Sequence, residues 1–136
     1  FIFQSFHLLP MLTALENVSL PLVFQGMERK KRDRMAKEML EAVGLVGFEK
    51  RVPTRMSGGQ QQRVGIARAL AGRPKIIFAD EPTGNLDTET GKKIEDTLLN
   101  LNAKKGITLI VVTHNKVLAD RMSGRIGLRD GKIYEN

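Results

Sequence analysis

The sequence predicts an α/β fold with a parallel sheet, on three observations. Two short runs, Lys75 to Ala79 and Thr108 to Thr113, are β-branched or aromatic almost without interruption. That is the pattern of strands buried on both faces beneath helices. Helical periodicity fills the interval between them, so the order reads strand, helix, strand, helix, hairpin. Both strands end on polar groups, Asp80-Glu81 and His114, and open α/β sheets gather functional residues at strand carboxyl ends.

In chain order, Phe1 to Phe3 resembles the end of a strand and stops at Gln4. With no initiator Met, the expectation is that a native N-terminal part precedes Phe1. Thr13 and Glu16 have capping-box spacing and open a short helix with Leu15, Val18 and Leu22 on one side. Pro21 is expected to kink or end it. From Glu28 to Val43 a second helix carries Met35, Ala36, Met39, Leu40 and Val43 on one face, with Gly44 as its cap. Packing onto its own domain accounts for that face; a partner-facing methionine surface is the alternative. Leu45 to Arg55 connects to a third helix, from about Gln60 to Ala71, with Val64, Ala67 and Ala71 on one side. After the first long strand, Asp87 is a candidate N-cap and Ile94, Leu98 and Leu101 form a stripe. Lys104-Lys105-Gly106 should end that helix with positive charge at its negative pole. A short helix to about Met122 follows the second strand. Asp130-Gly131, between Arg125 to Leu128 and Lys132 to Tyr134, predicts a hairpin.

With 136 residues, 41% hydrophobic and 27% charged, the chain has the composition of one modest globular domain. No apolar run approaches the ~20 residues of a membrane span. Without cysteine there are no disulfides and no thiolate zinc sites. The net charge of +7 is concentrated between Arg29 and Lys37, where Glu28, Asp33 and Glu38 interrupt it. A basic balance can mean nucleic acid or an anionic membrane surface, but such interleaving is more often a solvated helix face.

Phosphate chemistry accounts for the polar residues at the strand ends. A transferred phosphoryl group needs a cation bridging its oxygens, an oriented water and donors for the developing charge. Asp80 would sit nearest a phosphate-bound magnesium, and Glu81 would polarise the attacking water as general base. His114 can donate to a γ-phosphate oxygen, and the two-sided amide of Gln4 can touch both magnesium and water. Ser57-Gly58-Gly59-Gln60 places a hydroxyl and unobstructed backbone N–H groups at the mouth of a helix. That arrangement is an anion site or simply a tight turn, and the residues alone leave both open.

Ser57-Gly58-Gly59-Gln60-Gln61-Gln62-Arg63 resembles the signature motif of ABC-type ATPases. Ile76 to Glu81 is similar to their Walker B strand with its catalytic glutamate. Asn85-Leu86-Asp87 resembles the D-loop, His114 the switch histidine and Gln4 the Q-loop glutamine. The five motifs stand in the family's order and cover nearly the whole chain. Phe3 to Pro10, Leu15 to Val18 and Pro82 to Asp87 are similar to the branch serving lipoprotein release, macrolide export and cell-division membrane proteins.

The resemblance implies a P-loop NTPase-like core with a helical subdomain. Residues 1–47 would hold the Q-loop and that subdomain, and residues 48–136 the signature helix, Walker B, D-loop and switch histidine. It implies ATP and Mg2+ as cofactors and a head-to-tail homodimer. In that dimer Ser57, Gly58, Gly59 and Gln60 of one subunit would close over ATP held by the other. Glu81, Gln4 and His114 would be catalytic, with Asp80 and Gln4 at the magnesium. A transmembrane permease would dock through residues about 5–24, with Phe6, Leu8, Leu9, Met11 and Leu12 as interface residues. The protein would lie in the cytoplasm against the inner face of the membrane, with export or lipoprotein- or peptide-type extrusion as the work done. No nucleic-acid partner is expected; the rival readings are a soluble ATPase on ribosomes or DNA and a non-catalytic permease-binding module.

Two departures are small: Met56 stands where leucine is common, and Asn115 where aspartate is frequent. The larger one is that no G-x-x-x-x-G-K-[ST] occurs in these 136 residues. The phosphate-cradling loop is therefore expected before Phe1, and the isolated chain is expected to be inactive.

Overall fold

A computed structural model describes residues 1–134, with the backbone only at 104 and 105. Among the described residues there are five α-helices: α1 (Ala14–Phe24), α2 (Arg29–Ala42), α3 (Gly58–Ala71), α4 (Thr88–Lys105) and α5 (Lys116–Asp120). A 3-10 turn, Pro53–Arg55, leads into α3. Strands β1 (Ile76–Asp80) and β2 (Thr108–Val112) pair in parallel, with Ile76 opposite Thr108 and Asp80 opposite Val112. Ile2 adds a parallel bridge on the other side of β1, where its N–H donates to Phe78 O and Asp80 N–H donates back to Ile2 O. The strand-like reading of Phe1 to Phe3 thus becomes a third position in the sheet, beside β1. A separate hairpin, β3 (Gly127–Arg129) and β4 (Lys132–Tyr134), turns through Asp130 and Gly131, both at positive φ. Two consecutive positive φ values describe the type I′ turn that this dipeptide favours.

The helix starts follow their capping residues. Thr13 and Glu16 form the reciprocal box, with Glu16 N–H donating to Thr13 Oγ1 and Thr13 N–H to Glu16 Oε2. Ser57 and Gln60 form a second, so α3 begins at Gly58, two residues earlier than the periodicity indicates. Asp87 caps α4 through Thr90 N–H, and Gly106 closes that helix at φ 61. The positive charge expected there at Lys104 and Lys105 falls on side chains outside the described residues.

Two expectations are corrected. Pro21 does not end α1, which runs on past it to Phe24. The missing N–H deprives only the Asn17 carbonyl of its helical partner. Val18 and Leu22, both fully buried, hold the last turn down on either side of it. The strands are not buried on both faces: Ile77 and Ala79 are buried, whereas Ile76, Phe78, Ile110 and Val112 are exposed. Phe1 stacks on Phe78 across this bare face, with ring centroids 5.2 Å apart.

One core runs through the molecule. It joins Val18 and Leu22 of α1, Leu40 of α2, Ile66 and Leu70 of α3, Ile77 of β1 and Ile94 of α4. Each such side chain contributes about 1.5–3 kcal/mol by leaving water. Helix α3 packs chiefly against α1 and α2 and less extensively against α4. Its buried residues share one core cluster with Ile77 and Ala79 of β1, which connects the helical group to the sheet.

Candidate functional site

The three strand ends deliver their polar residues to one edge of the sheet. Gln4 follows the Ile2 bridge, Asp80 and Glu81 end β1, and Thr113 and His114 end β2. Glu81 is held from the neighbouring strand. Its Oε1 accepts from His114 N–H at 2.7 Å and lies 2.6 Å from His114 Nδ1, and its Oε2 accepts from Thr113 Oγ1 at 3.1 Å. Its own N–H donates to Val112 O. The backbone of Glu81 has φ 42, a left-handed conformation that costs a non-glycine residue about 1–2 kcal/mol. Strain of this kind collects at functional sites.

Burial pushes the Glu81 carboxyl up. The hydrogen bonds from His114 and Thr113 outweigh it and hold the group below its ordinary value of 4.5. It is therefore an ionised acceptor at neutral pH, and an ionised carboxylate only accepts. The shared proton then sits on His114 Nδ1. The histidine ring is 85% exposed, and its Nε2 is the atom left to meet a ligand.

A lowered folded-state pKa makes a contribution to stability that is complete above the unfolded value and lost as the pH falls through the folded one. Wild-type protein should thus be more stable than Glu81→Gln at neutral pH. The gap should narrow as the pH falls below 4.5 in chemical denaturation across pH. A gap that persists unchanged to acid pH would show that the carboxylate is not what the clamp recognises.

Gln4 and Asn85 are paired reciprocally: Gln4 Nε2 donates to Asn85 Oδ1 at 3.2 Å and Asn85 Nδ2 to Gln4 O at 3.0 Å. Gly84 leaves room for this pair, since a Cβ there would stand 2.7 Å from Gln4 Nε2. With its nitrogen engaged, Gln4 has Oε1 free of any hydrogen bond among the described residues. Asp80, at the end of β1, is exposed. Both offer hard oxygen donors suited to Mg2+. Among the described residues no group of three or more His, Cys, Asp or Glu could hold a metal by itself. The donor set thus fits a cation bound chiefly through a ligand's phosphates, the usual manner of Mg2+.

Ser57-Gly58-Gly59-Gln60 stands on a different element, the start of α3. No hydrogen bond joins it to Asp80, Glu81 or His114 among the described residues. The capping box uses Ser57 Oγ and the N–H groups of Ser57 and Gln60. The mouth of α3 is accordingly more self-satisfied than the sequence indicates, and the amides of Gly58 and Gly59 are what remain for an anion. Leu86 packs at Gly58 and Asp87 caps α4.

Several residues that organise the site were not singled out in the sequence. Asn17 is fully buried; its side chain accepts from Leu9 N–H and donates to Leu9 O and Leu12 O, fixing the loop before α1. Gln62 is also fully buried and donates to Phe3 O and Pro82 O. Arg68 donates to His7 O at 2.6 Å and Phe6 O at 2.9 Å, and burial lowers its pKa. Glu95, buried in α4, accepts from Arg121 and from Asn115 Nδ2, which secures α5 behind His114. The one available signal was Gln62, a polar residue inside the apolar face of α3.

Of the residues expected to form a partner-facing surface, Leu9 and Met11 are exposed, Met11 at 89%, and Phe24 joins them at 82%. Leu8 instead packs against the core, and the Phe6 ring turns inward beside Gly58.

Comparison with known proteins agrees with this arrangement. The profile of the ABC transporter family matches residues 1–84. A lipoprotein-releasing system ATP-binding protein LolD of Syntrophus aciditrophicus is 57% identical over 98% of this chain and 60% of its own length. The uncharacterized ABC transporter ATP-binding protein YbbA of Escherichia coli is 50% identical over 99% of the chain and 59% of its own. The solved dimeric structure of the ATP-binding cassette MJ0796, in a post-hydrolysis state with ADP and Pi, superposes with a TM-score of 0.84 at 47% identity. It covers 98% of this chain, which in turn spans 60% of that one. The chain thus spans about 60% of the length of the curated relatives it matches. By profile, identity and fold, this chain belongs to the ABC transporter family, in the branch of LolD- and YbbA-like ATP-binding proteins.

Proposed function

We propose that this chain is part of an ATP-hydrolysing subunit that drives a membrane permease. The carrying observation is the Glu81 carboxylate, held ionised at the end of β1 by His114 and Thr113. An ionised, fixed carboxylate is equipped to take a proton from an attacking water. His114 orients it and, when protonated, offers Nε2–H to a phosphate oxygen. Asp80 and Gln4 Oε1 would hold Mg2+, whose chemistry is to neutralise charge on the transferred phosphoryl.

The lack of any hydrogen bond between Ser57–Gln60 and Glu81 among the described residues is consistent with a composite site, each subunit serving its own ATP with Glu81 and its partner's with Ser57, Gly58, Gly59 and Gln60. The dimeric cassette structure of MJ0796 supports such pairing. Asn85, Leu86 and Asp87 lie between the two halves and would relay closure. Exposed Leu9, Met11 and Phe24 support a permease contact within residues about 5–24. The LolD relatives make lipoprotein release, or a related extrusion, the reading for the work done. Among the described residues no helix is long and apolar enough to cross a membrane. Placement on the inner face of the membrane would therefore come through the permease. The bare sheet face carrying Phe78 and Ile110 is where chain outside residues 1–136 would pack.

The intact subunit should hydrolyse ATP and dimerise when ATP is added, as measured by phosphate release and light scattering. The isolated 136-residue chain should do neither, because its sequence holds no phosphate-cradling loop. Sustained turnover by the isolated chain would overturn the division of labour proposed here, and an intact subunit without turnover would overturn the ATPase reading itself.

A further inference from the structure

We propose that Arg68, seconded by Gln62, is a positioning residue that fastens the loop carrying Gln4 to the helix carrying Ser57–Gln60. The Gln4 loop and the mouth of α3 would then move together. This rests on the ATPase reading above and adds to it a route between the two halves.

The observations run along a single face of α3. Positions 58, 62, 65 and 68 are spaced four, three and three apart, so they line one side of the helix. Residues 3–7 lie along that side. The Phe6 ring approaches Gly58, where a Cβ would stand 3.7 Å from its Cζ. Gln62 Nε2 donates to Phe3 O. A Cβ on Gly65 would stand 3.7 Å from Phe6 O. Arg68 then forks onto the carbonyls of Phe6 and His7.

Those two carbonyls belong to consecutive non-glycine residues at positive φ, 58 for Phe6 and 45 for His7. The turn's own backbone bonds, Phe6 N–H to Phe3 O and His7 N–H to Ser5 O, leave the Phe6 and His7 carbonyls open, and the guanidinium supplies two donors in a planar fork that fits adjacent acceptors. Arg68 makes no salt bridge among the described residues, so its charge is spent on this turn. Gln62 also donates to Pro82 O, one residue past Glu81. The same helix face therefore reaches the segments on both sides of the catalytic cluster. A push on loop 5–12 would pass through Arg68 to the mouth of α3 without crossing the sheet.

The test uses the full-length subunit, with hydrogen exchange and ATP turnover as separate readouts. Arg68→Met keeps the stem and removes the donors. Exchange at residues 5–9 should quicken by at least about tenfold, the scale of a lost charge-assisted hydrogen bond. Exchange at the first turn of α3, residues 58–61, should quicken with it. The kcat should fall while affinity for ATP is kept. Arg68→Lys, which retains charge but not the fork, should loosen the same two segments to a smaller degree, and it is the variant to read if Arg68→Met does not fold. Faster exchange at residues 5–9 alone would make Arg68 a local brace and overturn the proposal, as would unchanged exchange in both segments. A wild-type subunit without turnover would sink the ATPase reading, and the exchange readout would still decide whether the two segments are fastened together.

Discussion

Glu81→Gln in the intact subunit should lower kcat for ATP hydrolysis by at least about a hundredfold, the low end of what a positioned general base contributes, and leave ATP-driven dimerisation intact. The substitution preserves size and removes the one group able to take a proton. It also unsettles the clamp. The carboxylate accepts from Thr113 Oγ1, His114 N–H and the His114 ring at once. An amide has one accepting oxygen, and its NH2 would face a donor on one side. The expected signature is therefore a loss in kcat with ATP binding retained, and a stability difference that narrows in acid. Normal cycling by the mutant would remove Glu81 from the role of base. Loss of ATP binding together with turnover would instead mark it as a binding group.

What the sequence made legible divides by the range of the interaction. Thr13 with Glu16, Asp87 with Thr90, and Asp130-Gly131 act within a few residues, and the structure bears out each at its position. The parallel order of β1 and β2, and the delivery of Gln4, Glu81 and His114 to one edge, followed from strand endings and alternation with helices. Helix α3 illustrates the opposite. Gln62 and Arg68 read as ordinary polar positions because their partners lie 59 to 62 residues away along the chain, at Phe3, Phe6 and His7. Asn17 hid for another reason: its partners, Leu9 and Leu12, lie within eight residues, but in an irregular loop that has no periodicity to read. The exposed sheet face was misjudged for a different reason. Apolar runs report what a strand can bury, whereas burial depends on which neighbours are present to cover it.

Gly59→Ala should destabilise the chain, and Thr90→Ala should restore it. Gly59 is buried in the second position of α3, and a Cβ there would collide with Thr90 Cγ2 in the first turn of α4. Its backbone φ is not among the positive values, so alanine is allowed locally and should even gain about 0.5–1 kcal/mol over glycine in a helix. Against this stands overpacking, typically about 1–3 kcal/mol. The overpacking term should win because Thr90 cannot readily withdraw. Its N–H is held by the Asp87 cap at 3.0 Å, and its short side chain has no flexible far end to swing clear, with Cβ itself near the added atom. Thr90→Ala removes Cγ2 and keeps the capped N–H. In the double mutant only the helix-propensity gain of alanine remains, so its stability should match or exceed that of Thr90→Ala alone. Chemical denaturation of the four proteins measures the coupling. Additive effects would show that the two helix ends yield independently. A strong coupling would make the Gly59–Thr90 approach the contact that sets the spacing between Ser57–Gln60 and the Asn85–Asp87 loop. In that case Gly59→Ala should weaken ATP-driven dimerisation of the intact subunit, and the added Thr90→Ala should recover it.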